Sequence, residues 1–137
     1  MKYLVDANVL SEATKPKPSP GVIDWIVRHD RDLAVNPIIL GELEYGILLL
    51  PAGRRRSRLL EWFEAGTQRL NVIDFDASTA RIWAKLLAEL KRNGRAMPIK
   101  DSLIAATARQ HHLIVATRNE NHFRDAGVKV VNPFGKG

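Results

Sequence analysis

The stretch KYLVDANV, residues 2–9, runs a short apolar segment into an aspartate, and its reading decides how the remainder of the chain is assembled. An apolar run of this length, ended by Asp6-Ala7-Asn8, predicts a buried strand feeding a loop and then a helical turn over residues 9–13. Beyond it, KPKPSP at residues 15–20 cannot continue a helix, because proline lacks the amide hydrogen and restricts the residue before it. Ser19 and Pro20 start a helix through about His29, with Val22, Ile23, Ile26 and Val27 at helical spacing. Residues 33–35 are long enough only for a strand. Asn36-Pro37 opens a helix whose IILGELEYGILLL is apolar on nearly every face until Pro51, which predicts a central, well-buried element.

The same pattern recurs toward the C-terminus. Residues 54–66 form an amphipathic helix with Leu59, Leu60, Trp62 and Phe63 as its apolar surface, and NVIDF at 71–75 is a strand. Asp76 caps the longest helix, through about Asn93, with Ala80, Trp83, Leu87 and Leu90 on its core face and Gly94 as its stop. Pro98 opens a helix to about His111, LIVAT at 113–117 is a buried strand, and a turn at 121–123 leads to a last strand at 128–131. Strands separated by helices require crossover connections, so the expected architecture is an α/β three-layer α/β/α sandwich around a mostly parallel sheet. With no repeat and no linker, residues 1–137 read as one domain.

Composition narrows the function. A chain of 137 residues with 45% hydrophobic and 26% charged residues folds as an ordinary globular protein. It has no cysteine, which excludes disulfides and thiolate metal sites and points to the cytoplasm. Apolar runs such as residues 47–50 are too short to span a bilayer, and MKYLVDAN lacks signal-peptide anatomy, so no membrane partner is expected. The formal charge of +6 concentrates anions around the protein and favours a polyanionic partner.

Three acids stand out. In open parallel sheets the ligand crevice lies beyond the carboxyl ends of the strands, which is where Asp6 falls, although an aspartate there also serves as a helix cap. Glu42 and Glu44 interrupt an apolar helix and point to different faces, so at most one looks into a given site, and periodicity does not choose between them. A carboxylate on such a helix costs several kcal/mol if desolvated without a cation or hydrogen-bond donors. Asp101 sits in the first turn of its helix, where the dipole favours it anyway. The small residues on its face, with Ile104, Ala105 and Ala108, draw that end of the helix toward the sheet. Each acid thus has a structural explanation beside the catalytic one.

Taken together, YLVDANVLS, GELEYG, MPIKDSLIAATA, ATRNENHF and VVNPF closely resemble PIN-domain ribonucleases of the VapC type, over nearly the whole chain. The resemblance implies a site of Asp6, Glu42 and Asp101, choosing Glu42 over Glu44, with Asn8, Thr117 and Asn119 as supporting residues. It implies Mg²⁺ or Mn²⁺ held by Asp6 and Asp101, with Glu42 ligating or positioning the attacking water; few carboxylates plus waters and phosphate suit such ions. It implies an RNA substrate, a cognate antitoxin that covers the acidic groove, and a homodimer. One position departs from the family: His122 stands where many relatives carry a fourth acid. Arg54, Arg55, Arg56 and Arg58 make the densest basic cluster, suited to phosphates, an acidic partner or simply solvent.

Two other readings compete. A haloacid-dehalogenase-like phosphatase would use Asp6 as nucleophile with an acid two residues on, but Asn8 is neutral there and cannot donate the proton. A non-catalytic RNA- or partner-binding module would keep the fold with a damaged site.

Overall fold

The computed structural model describes residues 1–135; Lys136 and Gly137, the last two of the predicted domain, lie outside the described residues. Five short strands form the sheet: β1 (Tyr3–Val5), β2 (Leu33–Val35), β3 (Asn71–Val72), β4 (Ile114–Ala116) and β5 (Val130–Val131). They lie in the order β3-β2-β1-β4-β5, every neighbouring pair parallel, with Leu4 opposite Ala34 on one side and Val115 on the other. Six helices make the crossovers: α1 (Ala7–Leu10), α2 (Pro20–Arg28), α3 (Pro37–Leu48), α4 (Arg54–Thr67), α5 (Ala77–Arg92) and α6 (Ile99–His111). A 3₁₀ turn, Ser11–Thr14, extends α1, and another, Glu120–Phe123, follows β4.

The chain builds outward from β1 through β2 to β3, then returns to the far side of β1 for β4 and β5. The direction of winding therefore reverses between β1 and β4, and ligands of open α/β sheets bind in the crevice at that switch point. Residues of β1, β2 and β4 are almost all fully buried, and the core closes around them with Val9, Val22, Ile39, Leu86, Ile104 and Phe123. Ala105, Ala106 and Ala108 are buried on α6, and their small side chains let that helix approach the sheet closely.

Several elements differ from expectation. Helix α3 is not buried all round: Ile39, Leu43 and Ile47 face the core, while Tyr45, Leu48 and Leu49 are 64%, 50% and 66% exposed. A high apolar content with little periodicity does not separate a central helix from one with an uncovered outer face. On α2, Trp25 rather than Val27 faces inward, packing edge-on against Tyr3. On α5, the fully buried residues are Thr79, Leu86 and Leu90, while Ala80, Trp83 and Leu87 are only partly covered. The expected five-residue strand at 71–75 shrinks to β3, an exposed edge of two residues.

Two buried polar contacts set the helices around the switch point. Asn36, fully buried at the end of β2, accepts from the Ile39 amide at 2.9 Å, capping α3, and donates to Thr107 Oγ1 on α6 at 3.1 Å. This one side chain fixes α3 relative to α6 and satisfies itself. Trp83 Nε1 on α5 donates to Ser102 Oγ at 2.9 Å, and Ser102 donates to the Ile99 carbonyl, which pins the first turn of α6.

Candidate functional site

Asp6 ends β1 and is 4% exposed. Its Oδ1 accepts the Ala7 amide at 2.8 Å, so it caps α1 as the structural reading of the sequence expected. Its Oδ2 accepts from Thr117 Oγ1 at 2.8 Å and from Asn8 Nδ2 at 3.3 Å. Thr117 ends β4, across the switch point, so the two central strands meet at this carboxylate. Asn8 completes the join: its amide nitrogen also reaches Thr117 Oγ1 at 3.3 Å, and its Oδ1 accepts the Arg118 amide at 3.1 Å. Asn119 enters through its backbone, donating to Thr117 Oγ1 at 3.0 Å.

Glu42 comes from the middle of α3 with its side chain 24% exposed, whereas Glu44 points to solvent. The contact from Asn36 to Thr107 holds α3 against α6, and Asp101 arrives from the first turn of α6 with its side chain 13% exposed. Burial raises the Asp6 carboxyl from its ordinary value to about 6; the charges of Glu42 and Asp101 push the same way, against the Thr117 and Ala7 hydrogen bonds. The three acids thus act on one another. Among the described residues, no three carboxylate or imidazole groups close into a ready-made metal cage. One Glu42 oxygen, Oε1, is buried without a hydrogen-bond partner.

A lysine and a histidine of the chain meet these acids. Lys100 Nζ lies 3.1 Å from Glu42 Oε2, and that contact is the main cause of its raised pKa. His122 Nδ1 lies 2.8 Å from Asp101 Oδ2. The position for which the resemblance implies a fourth acid is therefore filled by a ring that pairs with Asp101. Lys100 was not singled out from sequence; the only signal was its place beside Asp101, because which carboxylate it meets depends on how α3 packs on α6.

The donor set fits a hard divalent cation. It consists of oxygens alone, it contains an orphaned buried oxygen, and its central carboxylate carries a raised pKa that a cation would reverse. An open arrangement of few carboxylates suits Mg²⁺, which keeps several waters rather than entering an all-protein cage.

The family model for the PIN domain matches residues 3–129, so the chain belongs to the PIN-domain family. Its relatives narrow that placing to the VapC group. The chain is 34% identical to VapC ribonuclease Y4jK of Sinorhizobium fredii, covering 96% of each. It is 36% identical to Toxin FitB of Neisseria gonorrhoeae, covering 96% of this chain and 97% of that one. The crystal structure of FitAcB from Neisseria gonorrhoeae superposes with a TM-score of 0.91 at 34% identity, over 98% of this chain and 99% of that chain. The parallel five-stranded sheet and its helices are those of the PIN domain.

Proposed function

We propose that the chain is a metal-dependent endoribonuclease acting in the cytoplasm as the toxin of a VapBC-type pair, held inactive by a cognate antitoxin and assembling as a homodimer. The names of its relatives, a VapC ribonuclease and a toxin, support the class. The observation that carries the catalytic reading is the convergence of Asp6, Glu42 and Asp101 at the switch point, with a buried Glu42 oxygen left unpaired. No helix among the described residues is long and apolar enough to cross a membrane.

Asp6 and Asp101 would hold Mg²⁺ or Mn²⁺, and when bound the ion supplies electrostatic stabilisation of charge building on the phosphate. Thr117, Asn8 and the Ala7 amide fix Asp6 in one orientation, and Oδ1, which accepts a single hydrogen bond, keeps a lone pair for the ion. Glu42, on a different helix from Asp101, would help hold the ion or orient the attacking water through its unpaired oxygen. The reaction is hydrolysis of an RNA phosphodiester by water, with no covalent protein intermediate. Asn8 donates to Asp6 and carries no acidic proton, which disfavours an aspartyl-phosphate route.

The test is incubation of antitoxin-free protein with structured RNAs and Mg²⁺ or Mn²⁺, beside Asp6→Asn and Asp101→Asn. Metal-dependent cleavage by wild type alone is the expected result. RNA binding without cleavage across a wide metal range would leave a non-catalytic module.

A further inference from the structure

The basic cluster on α4 is not absorbed by the catalytic site. Among the described residues, none of Arg54, Arg55, Arg56 and Arg58 is in an ion pair. They also point in different directions. Arg56 folds back on the turn between α3 and α4, donating to the Leu50 carbonyl at 3.5 Å. Arg55, Arg58, Leu59 and Trp62 fall at i, i+3, i+4 and i+7, which is one face of the helix. Helix α4 has no fully buried residue, and Trp62 is 39% exposed.

That face borders two adjoining cavities. The first, about 240 Å³, borders Glu42 of the acid site and is lined by Asn8, Ser11, Thr14, Leu43 and Arg55 among others. The second, about 470 Å³, is lined by Thr14, Pro16, Arg55, Arg58, Leu59 and Trp62. Arg55 stands on the wall they share, its Nη2 donating to the Thr14 carbonyl at 3.2 Å. The two cavities thus adjoin at Arg55 and Thr14, and together they line a groove between Glu42 and Trp62 whose floor is largely apolar, with Glu42 at one end and Arg55, Arg58 and Trp62 toward the other.

We propose that this groove is a binding track for single-stranded RNA, in which Arg55 and Arg58 take backbone phosphates and Trp62 stacks a base. The inference rests on the ribonuclease reading of the acid site and names how its substrate is held. In the metal-free protein the carboxylates repel RNA, and unpaired cations nearby offset that repulsion by attracting its phosphates. Guanidinium groups free of carboxylates supply that attraction, and their fork matches phosphate oxygens. A half-exposed tryptophan beside such cations is a stacking platform that accepts any base. An acidic peptide laid in the same groove would run its charge into Glu42, with nothing in its backbone to meet a divalent ion there.

The experiment measures binding of a short fluorescein-labelled single-stranded RNA to the full chain in EDTA, where cleavage does not intrude, across a range of salt. For Arg55→Ala with Arg58→Ala, affinity falls on the order of tenfold or more and the slope of log affinity against log salt flattens by about 1.4, two phosphates' worth. Trp62→Ala weakens binding on the order of tenfold, as loss of one base stack does. The charge-preserving pair Arg55→Lys and Arg58→Lys recovers the salt slope, which separates lost contacts from lost folding. Arg92→Ala, on the exposed end of α5, leaves affinity unchanged.

The track is overturned if wild type does not bind the RNA, if the double alanine variant keeps wild-type affinity and slope, or if Arg92→Ala is equally harmful. It is also overturned if the double alanine variant loses affinity for poly-glutamate while retaining RNA. Cleavage in Mg²⁺ or Mn²⁺ separates the two readings. A wild type that binds through these residues yet cuts nothing sinks the nuclease and leaves the track. One that cuts, with KM unchanged by the double variant, leaves the nuclease and sinks the track.

Discussion

Asp6 and Asp76 hold similar local positions with opposite electrostatics. Each follows a strand region, each is the N-cap of the next helix, and each accepts from a backbone amide and a threonine hydroxyl. Yet Asp76 has a lowered pKa, chiefly from the Thr79 amide and hydroxyl, while burial raises that of Asp6 to about 6. Asp76 lies at an exposed junction, where hydrogen bonds decide the balance; Asp6 is buried with Glu42 and Asp101 nearby. Capping alone therefore does not distinguish a structural aspartate from a functional one. What distinguishes them is whether charge is left uncompensated after the cap has been made.

The largest test of that contrast is catalytic. Asp6→Asn keeps an acceptor for the Ala7 amide but removes the negative charge, and RNA cleavage in Mg²⁺ falls by on the order of 100-fold or more, beyond the loss typical of a residue that only supports a ligand. Asp76→Asn makes the same chemical change at the other cap and leaves kcat within about twofold, as expected for a side chain outside the reacting constellation. Equal losses from both would dissolve the distinction. Thr117→Val comes next: it removes the hydroxyl that donates to Asp6 Oδ2 without changing shape, and metal affinity, read by Mn²⁺ titration, drops by roughly 10- to 100-fold.

Stability against pH separates the same two residues in the metal-free protein. The folded Asp6 binds its proton up to about pH 6, against 3.8 ordinarily, so the folded state holds more protons between those values. Stability from this group accordingly falls as pH rises through that window and stays low above it, by on the order of 2–3 kcal/mol. Asp6→Asn cannot titrate in this window, so its Tm, followed by circular dichroism in EDTA, rises relative to wild type as pH increases from about 4 to about 7. Asp76 has the opposite sign: its lowered pKa gives stability that is present above its unfolded value and is lost as pH falls. Asp76→Ala therefore lowers Tm at pH 7.5 more than at pH 3. Two melting curves moving the same way would show that the caps are alike after all.

How much of this was legible in the sequence follows from the range of each interaction. Asp6 was visible because its signal is local, an aspartate ending an apolar run, and the parallel sheet followed from alternating strands and helices. Glu42 and Glu44 were not separable by periodicity, because α3 is apolar on both faces; only packing against α6 turns one inward. The same apolar content made α3 look central, although its outer face with Tyr45 and Leu49 is open. Lys100 and His122 were illegible as partners of the acids. Their pairings cross from α6 to α3 and from the turn after β4 to α6, distances in sequence over which no pattern runs.

The smallest prediction concerns the first of those pairings. Lys100 neutralises Glu42 in the metal-free protein, so it competes for the carboxylate that a divalent cation would share. Lys100→Met keeps the length of the stem and removes the charge. The ammonium is largely exposed, and a pair of this kind is worth at most about 1 kcal/mol, so Mn²⁺ binding tightens by no more than about fivefold. The same substitution at Lys129, which is exposed at the opposite end of the sheet, leaves Mn²⁺ affinity unchanged. Weaker Mn²⁺ binding by Lys100→Met would mean that the lysine holds Glu42 in place for the metal. Tighter binding would mean that the site, unlike the cap at Asp76, keeps its charge balanced only provisionally until a cation arrives.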